Sequence, residues 1–192
     1  MMNFRRWIVV LAVCAMTPVA AAADEPFAVR EWGVRVAGGV DPSNIIQYYA
    51  VHPFVGFSLW QKADRWLTER DVTGRWVIEP WVAYVRDDHG KHQTSSFEIG
   101  VSPLFARLTF GEGAVRPFIE GGEGILYTDL RKQRLGTRMQ FSSQFGTGLE
   151  FALDDDHSLT IAARIRHMSN AGMASSNPGI TMLFGLIGVT FR

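Results

Sequence analysis

One cysteine occurs in 192 residues, and it stands at position 14. No intrachain disulfide can form, so no cross-link holds the fold together. Neither charge is in surplus: 19 Lys and Arg balance 19 Asp and Glu. That removes the basic field that general nucleic-acid binding needs. Long apolar runs are missing after the first two dozen residues, so no membrane-spanning helix is expected. No long stretch has helical periodicity, and no glycine-rich strand-to-helix phosphate motif occurs. His89 and His92 lack a matching acidic cluster, so neither a metal site nor a cofactor is expected.

The first residues are of a different kind. Arg5 and Arg6 precede an apolar run from Trp7 to Ala15, and Ala20 to Ala23 follow before Asp24. A basic start, a short apolar run and small residues at the end make a signal peptide, expected to be cut after Ala23. Residues 24–192 then form a single domain that has no cysteine, because Cys14 leaves with the signal. An exported chain of this kind is periplasmic, secreted, or an outer-membrane β-barrel.

What is present from residue 24 onward is strand. Glycines are spread out, aromatics are common, and eight extended runs can be drawn: 29–40, 45–60, 73–86, 94–109, 114–128, 137–153, 157–169 and 180–191. In the sixth run, Met139, Phe141, Phe145, Leu149, Phe151 and Leu153 alternate with Gln140, Ser142, Gln144, Gly146, Gly148 and Glu150. The fourth run sets Phe97, Ile99, Val101 and Phe105 against Glu98, Gly100, Ser102 and Ala106. Soluble strands have about 5–6 residues, whereas tilted membrane strands need about 9–11 in the hydrocarbon alone. Runs this long, with Glu98, Glu150, Arg164 and Arg166 on the small and polar face, suit a narrow lumen filled by paired charges. The expected fold is all-β: an eight-stranded antiparallel transmembrane β-barrel of the bacterial outer membrane. Trp60, Trp66, Trp76 and Trp81 near run ends are candidates for interfacial aromatic girdles. The stretch from Gln61 to Val72 is long for a turn and has no assignment.

The chemistry lies near the end of the chain. In the seventh run the odd positions Leu159, Ile161, Ala163 and Ile165 continue into His167 and Ser169. Residues two apart on a strand share a face, so a histidine and a serine end an apolar stripe. A base beside a hydroxyl is the minimum for a serine nucleophile. With the amino terminus in the periplasm, the seventh strand ends outside the cell. The pair then faces the outer leaflet, which is lipopolysaccharide. Arg131, Lys132, Arg134, Arg138, Lys91, His89 and His92 fall in external connections, where basic groups can hold lipid phosphates. A polar pair at a strand end also suits plain interfacial decoration.

His167-Met168-Ser169-Asn170-Ala171-Gly172, followed by Asn177-Pro178-Gly179, resembles the lipid A 3-O-deacylase (PagL) family. Arg116 to Gly122 and Phe145 to Glu150 look like that family's central strands, and the likeness covers most of 95–192. The resemblance implies an outer-membrane serine esterase on an eight-stranded barrel, with its active site on the lipid-facing outside. It implies Ser169 as nucleophile, His167 as general base, and Asn170, Gly172 and Asn177 near an oxyanion hole. The implied substrate is lipid A, within outer-membrane lipid, with no nucleic-acid partner; a homodimer is left open. The family's glutamate, twelve residues after the serine, is replaced here by Thr181. Outer-membrane phospholipase A uses a neutral asparagine in that role. Two alternatives stand beside a lipid A esterase: a phospholipase A-like lipid hydrolase, and a structural or surface-binding barrel with weak catalysis or none.

Overall fold

The computed structural model describes residues 25–192, except 44, 89–93, 131–134 and 175–176. The signal segment and the external residues Lys91, His89, His92, Arg131, Lys132 and Arg134 therefore lie outside the described residues. Eight strands close into one antiparallel barrel in chain order. They are β1 (Val29–Val40), β2 (Ile46–Phe57), β3 (Val72–Asp87), β4 (Thr94–Phe110), β5 (Val115–Thr128), β6 (Met139–Ala152), β7 (His157–Ser169) and β8 (Ile180–Phe191). β8 pairs with β1 from Trp32↔Phe191 to Val40↔Leu183, which removes both free edges.

The barrel is inside-out relative to a soluble protein. Val34, Val36, Val51, Val82, Ile99, Phe145, Ile161, Ile165, Leu183 and Ile187 are exposed on its outer wall. Its lumen is closed by buried charge. Arg164 bridges Glu79 and Glu120, and Arg35 binds the same two carboxylates. Arg107 reaches Glu120 at 3.0 Å, and Arg166 reaches Glu98 at 2.8 Å. Glu150 takes Arg116 and Arg192. Charges removed from water are tolerable only when paired this closely, so the lumen is a packed interior and not an open pore. An apolar wall around a polar core is the membrane-barrel pattern.

Three local features depart from the sequence reading. Trp81 lies in the lumen, 1 % exposed, and its Nε1 donates to Glu98 Oε1 at 2.8 Å; it is no girdle residue. Trp76 does lie on the outer wall, packed against Phe27 and Phe57. Phe105 points inward because the register shifts between Val101 and Leu104. Such a bulge adds a residue and reverses the alternation beyond it; the same extra β4 residue shifts the register against β3, where Val77↔Phe105 is followed by Glu79↔Ser102. The unassigned stretch contains an eight-residue helix, α1 (Gln61–Thr68). Two turns are too few to show a periodicity. Its anchor is Leu67, which with Leu59 fills the space that a side chain on Gly74 would take.

Candidate active site

β7 carries the two faces of the barrel in alternation. Ser158, Thr160, Ala162, Arg164, Arg166 and Met168 are buried, while Ile161, Ala163, Ile165 and His167 are exposed and Ser169 is half-buried. His167 and Ser169 thus project from the same side of the strand as the exposed aliphatic stripe. The reason is the 2.0-residue period of a strand, unbroken here because β7 pairs with β6 and β8 without a bulge.

The imidazole is held on its β8 side. His167 pairs directly with Thr181, and Nδ1 lies 3.0 Å from Thr181 Oγ1. When Nδ1 carries the proton, it donates to that hydroxyl and leaves Nε2 with a free lone pair, the tautomer a general base requires. Gly179 bounds the other edge of the ring. Its φ is +69°, and a Cβ there would stand 2.6 Å from His167 Cε1 and 2.9 Å from Nε2. Only glycine both adopts this backbone easily and leaves room for the ring. The Asn-Pro-Gly motif contained this residue, but its role depends on the fold of the β7–β8 loop and could not be read from spacing.

That loop is tied by asparagines. The Asn170 backbone N–H donates to Asn177 Oδ1 at 3.0 Å. Asn170 Nδ2 donates to the Leu135 carbonyl at 2.9 Å, and Asn170 Oδ1 accepts from the Gly172 N–H at 2.9 Å. Asn170 is fully buried. Ala171 and Gly172 both have positive φ, +49° and +82°, which turns the chain sharply just after the serine. The structure thus brings His167, Ser169, Thr181, Asn170, Gly172 and Asn177 into one end of the barrel. Asn170 and the Gly172 N–H hold the loop's shape through the bonds just given.

On the β6 side, His167 pairs with Ser143, and Ser143 pairs with Glu123 of β5. Ser143 Oγ donates to Glu123 Oε2 at 2.8 Å. Neither residue stood out in the sequence, because both are brought beside the histidine by strand register alone. Among the described residues, no group of three or more His, Cys, Asp and Glu side chains is placed to hold a metal ion.

The family model described as "Lipid A 3-O-deacylase (PagL)" matches residues 48–190. Lipid A deacylase PagL of Pseudomonas aeruginosa is 28 % identical over 124 residues, which covers 63 % of this chain and 66 % of that protein. The chain thus matches just under two thirds of the length of that relative. Among solved structures, the outer membrane enzyme PagL superposes with a TM-score of 0.61 at 23 % identity, covering 81 % of this chain and 97 % of that one. Neisserial surface protein A (NspA) has the same fold, with a TM-score of 0.54 at 11 % identity over 84 % and 94 % of the two chains. The family model spans most of the barrel and both strands of the His167–Thr181 pair, and the chain belongs to the lipid A 3-O-deacylase (PagL) family.

Proposed function

We propose that this protein is an outer-membrane esterase that hydrolyses the 3-O-linked acyl chain of lipid A, exported by a signal peptide spanning residues 1–23. The observation that carries this reading is the outward placement of His167 and Ser169 at one end of an apolar wall, with Nδ1 hydrogen-bonded to Thr181. A lumen-facing pair would meet a sealed ionic interior; an outward pair meets lipid. The strand count supports outer-leaflet placement. The start of β1, the end of β8 and the connections 58–71, 111–114 and 153–156 lie at one end of the barrel, and the last two are short, as periplasmic turns are. The pair lies at the opposite end, with the connections 129–138 and 170–179.

The chemistry follows from the tautomer. His167 Nε2 takes the proton from Ser169 Oγ as that oxygen attacks the ester carbonyl carbon. The resulting oxyanion needs fixed donors. In this reading the Asn177 side-chain amide and the Ala171 N–H supply them, with Asn170 and Gly172 setting the loop's shape. Collapse breaks the bond to the sugar oxygen, which takes its proton from the imidazolium. Water, activated by the same Nε2, then attacks the acyl-serine, releasing the free fatty acid and restoring Ser169. Thr181 fixes the ring but adds no charge, so its contribution is orientation.

The test is mass spectrometry of lipid A from cells expressing the wild type or Ser169→Ala. The wild type is expected to remove the mass of one hydroxyacyl chain and the variant none. Unchanged lipid A in both strains would overturn the reading. Release of lysophospholipid instead would favour a phospholipase.

A further inference from the structure

In the mechanism above, the imidazolium forms without a carboxylate at position 181. Elsewhere in the strands, acidic side chains are drawn inward: Glu31, Glu79, Asp87, Glu98, Glu120 and Glu150 are all buried. Glu123 is the exception. It is exposed on the outer wall of β5, in the same alternation as Ile119, Ile125 and Tyr127. Among the described strand residues it is the only carboxylate on that wall. Its cross-strand neighbour on β4 is Leu104, 67 % exposed, so its surroundings on that side are apolar. A charge on a lipid-facing wall is costly and is kept where it has work to do.

Its position in the register indicates what that work is. Thr181, His167, Ser143 and Glu123 form one unbroken row across β8, β7, β6 and β5. Residues directly opposite on neighbouring strands have Cβ atoms about 4.5–5.5 Å apart. Glu123 leans along this row toward the histidine, because its Oε2 accepts the Ser143 hydroxyl at 2.8 Å. The histidine therefore has a neutral hydrogen-bond partner on one flank and a hydrogen-bonded carboxylate one strand beyond the other. Facing lipid, that charge is poorly screened by water, so its field carries further than it would in solution.

We propose that Glu123 is a positioning residue for the His167–Ser169 pair: acting through Ser143, it supplies from the β6 side the negative charge that Thr181 does not supply from the β8 side. No bond is made or broken at Glu123. Its carboxylate stabilises the imidazolium while His167 Nε2 holds the serine's proton. The inference rests on the esterase reading and sharpens it, since it identifies the acid of a site that lacks one at position 181.

Steady-state hydrolysis of purified lipid A by the full chain in detergent micelles tests this. The variants are Ser169→Ala, Glu123→Gln, Glu123→Asp, Thr181→Glu and the double variant Thr181→Glu/Glu123→Gln. Folding of each is checked by its heat-modifiable migration on gels. Glu123→Gln is expected to lower kcat about tenfold with KM unchanged, as expected for one charge–charge interaction across a poorly screened gap. Glu123→Asp should recover part of the loss. In the Thr181→Glu background, Glu123→Gln should change kcat by less than about twofold, because the two carboxylates serve the same imidazolium. An active wild type, silenced by Ser169→Ala yet untouched by Glu123→Gln, would overturn this inference alone. An equal loss from Glu123→Gln in both backgrounds would also overturn it, since the residue would then be structural. An inactive wild type would overturn the esterase reading and this inference with it.

Discussion

The two faces of β7 handle polarity in opposite ways. On the lumen side, Arg164 and Arg166 are surrounded by carboxylates and aromatic rings: Glu79, Glu120 and Glu98 pair with them, and Phe105, Tyr48, Trp81 and Phe184 lie beneath their guanidinium planes. On the wall side, His167 has Thr181 at 3.0 Å and a glycine at its other edge. The first arrangement pairs each of these charges with an opposite one and ties β7 across the lumen to β3, β4 and β5. The second, among the described residues, leaves His167 Nε2 and the Ser169 hydroxyl without a hydrogen-bond partner, as the proposed reaction needs. On the proposed reading, one strand separates structure from chemistry by the parity of its residues.

If that division is right, substitutions on the two faces should fail differently. Ser169→Ala removes the nucleophile, so hydrolysis should fall by at least about a thousandfold while folding is unaffected. Equal loss of folded protein would break the division, because the wall residue would then be structural. Glu120→Gln should do the reverse. Glu120 accepts from Arg35, Arg107 and Arg164, and removing one partner of a buried ionic cluster costs on the order of 3 kcal/mol. Urea unfolding in micelles should show that loss, with kcat of the folded fraction unchanged. Gly179→Ala is the subtler probe. A methyl at 2.6 Å from Cε1 must push the imidazole aside, and displacement of a catalytic group by about 1 Å costs up to a hundredfold in rate. A fall of about tenfold or more in kcat with KM held would fit the wall account. No change would mean that the ring is free to move and its present pose is unimportant.

Much of the division was legible in the sequence. The alternation in β6 and β7 is unbroken, so it gave the faces, the strand ends and the place of His167 and Ser169 on the apolar stripe. The paired-charge lumen followed from Glu98, Glu150, Arg164 and Arg166 sharing the other face. Thr181 was singled out through the family resemblance, as the residue twelve after Ser169, and it pairs with His167 across β7 and β8. What stayed hidden depends on long-range register. The extra β4 residue between Val101 and Phe105, which shifts the register against both β3 and β5, turns Phe105 inward. Trp81 lies in the lumen, where Glu98 accepts its N–H, although an aromatic near a run end suggests a girdle. α1 is two turns long and held by Leu67, too little for a pattern. Glu123 and Ser143 lie 44 and 24 positions before His167 in the chain; only closure of β5, β6 and β7 side by side brings them to the histidine's flank.

The central claim is that Ser169 is a nucleophile activated by His167 on the outer wall. A long-chain alkyl fluorophosphonate, which reacts with activated serines, tests it without reference to the natural substrate. Intact-mass analysis of the folded wild type should show one adduct, mapped by peptide sequencing to Ser169, and His167→Asn should abolish it. No adduct on the folded wild type, or an adduct on Ser169 that persists in His167→Asn, would contradict the claim.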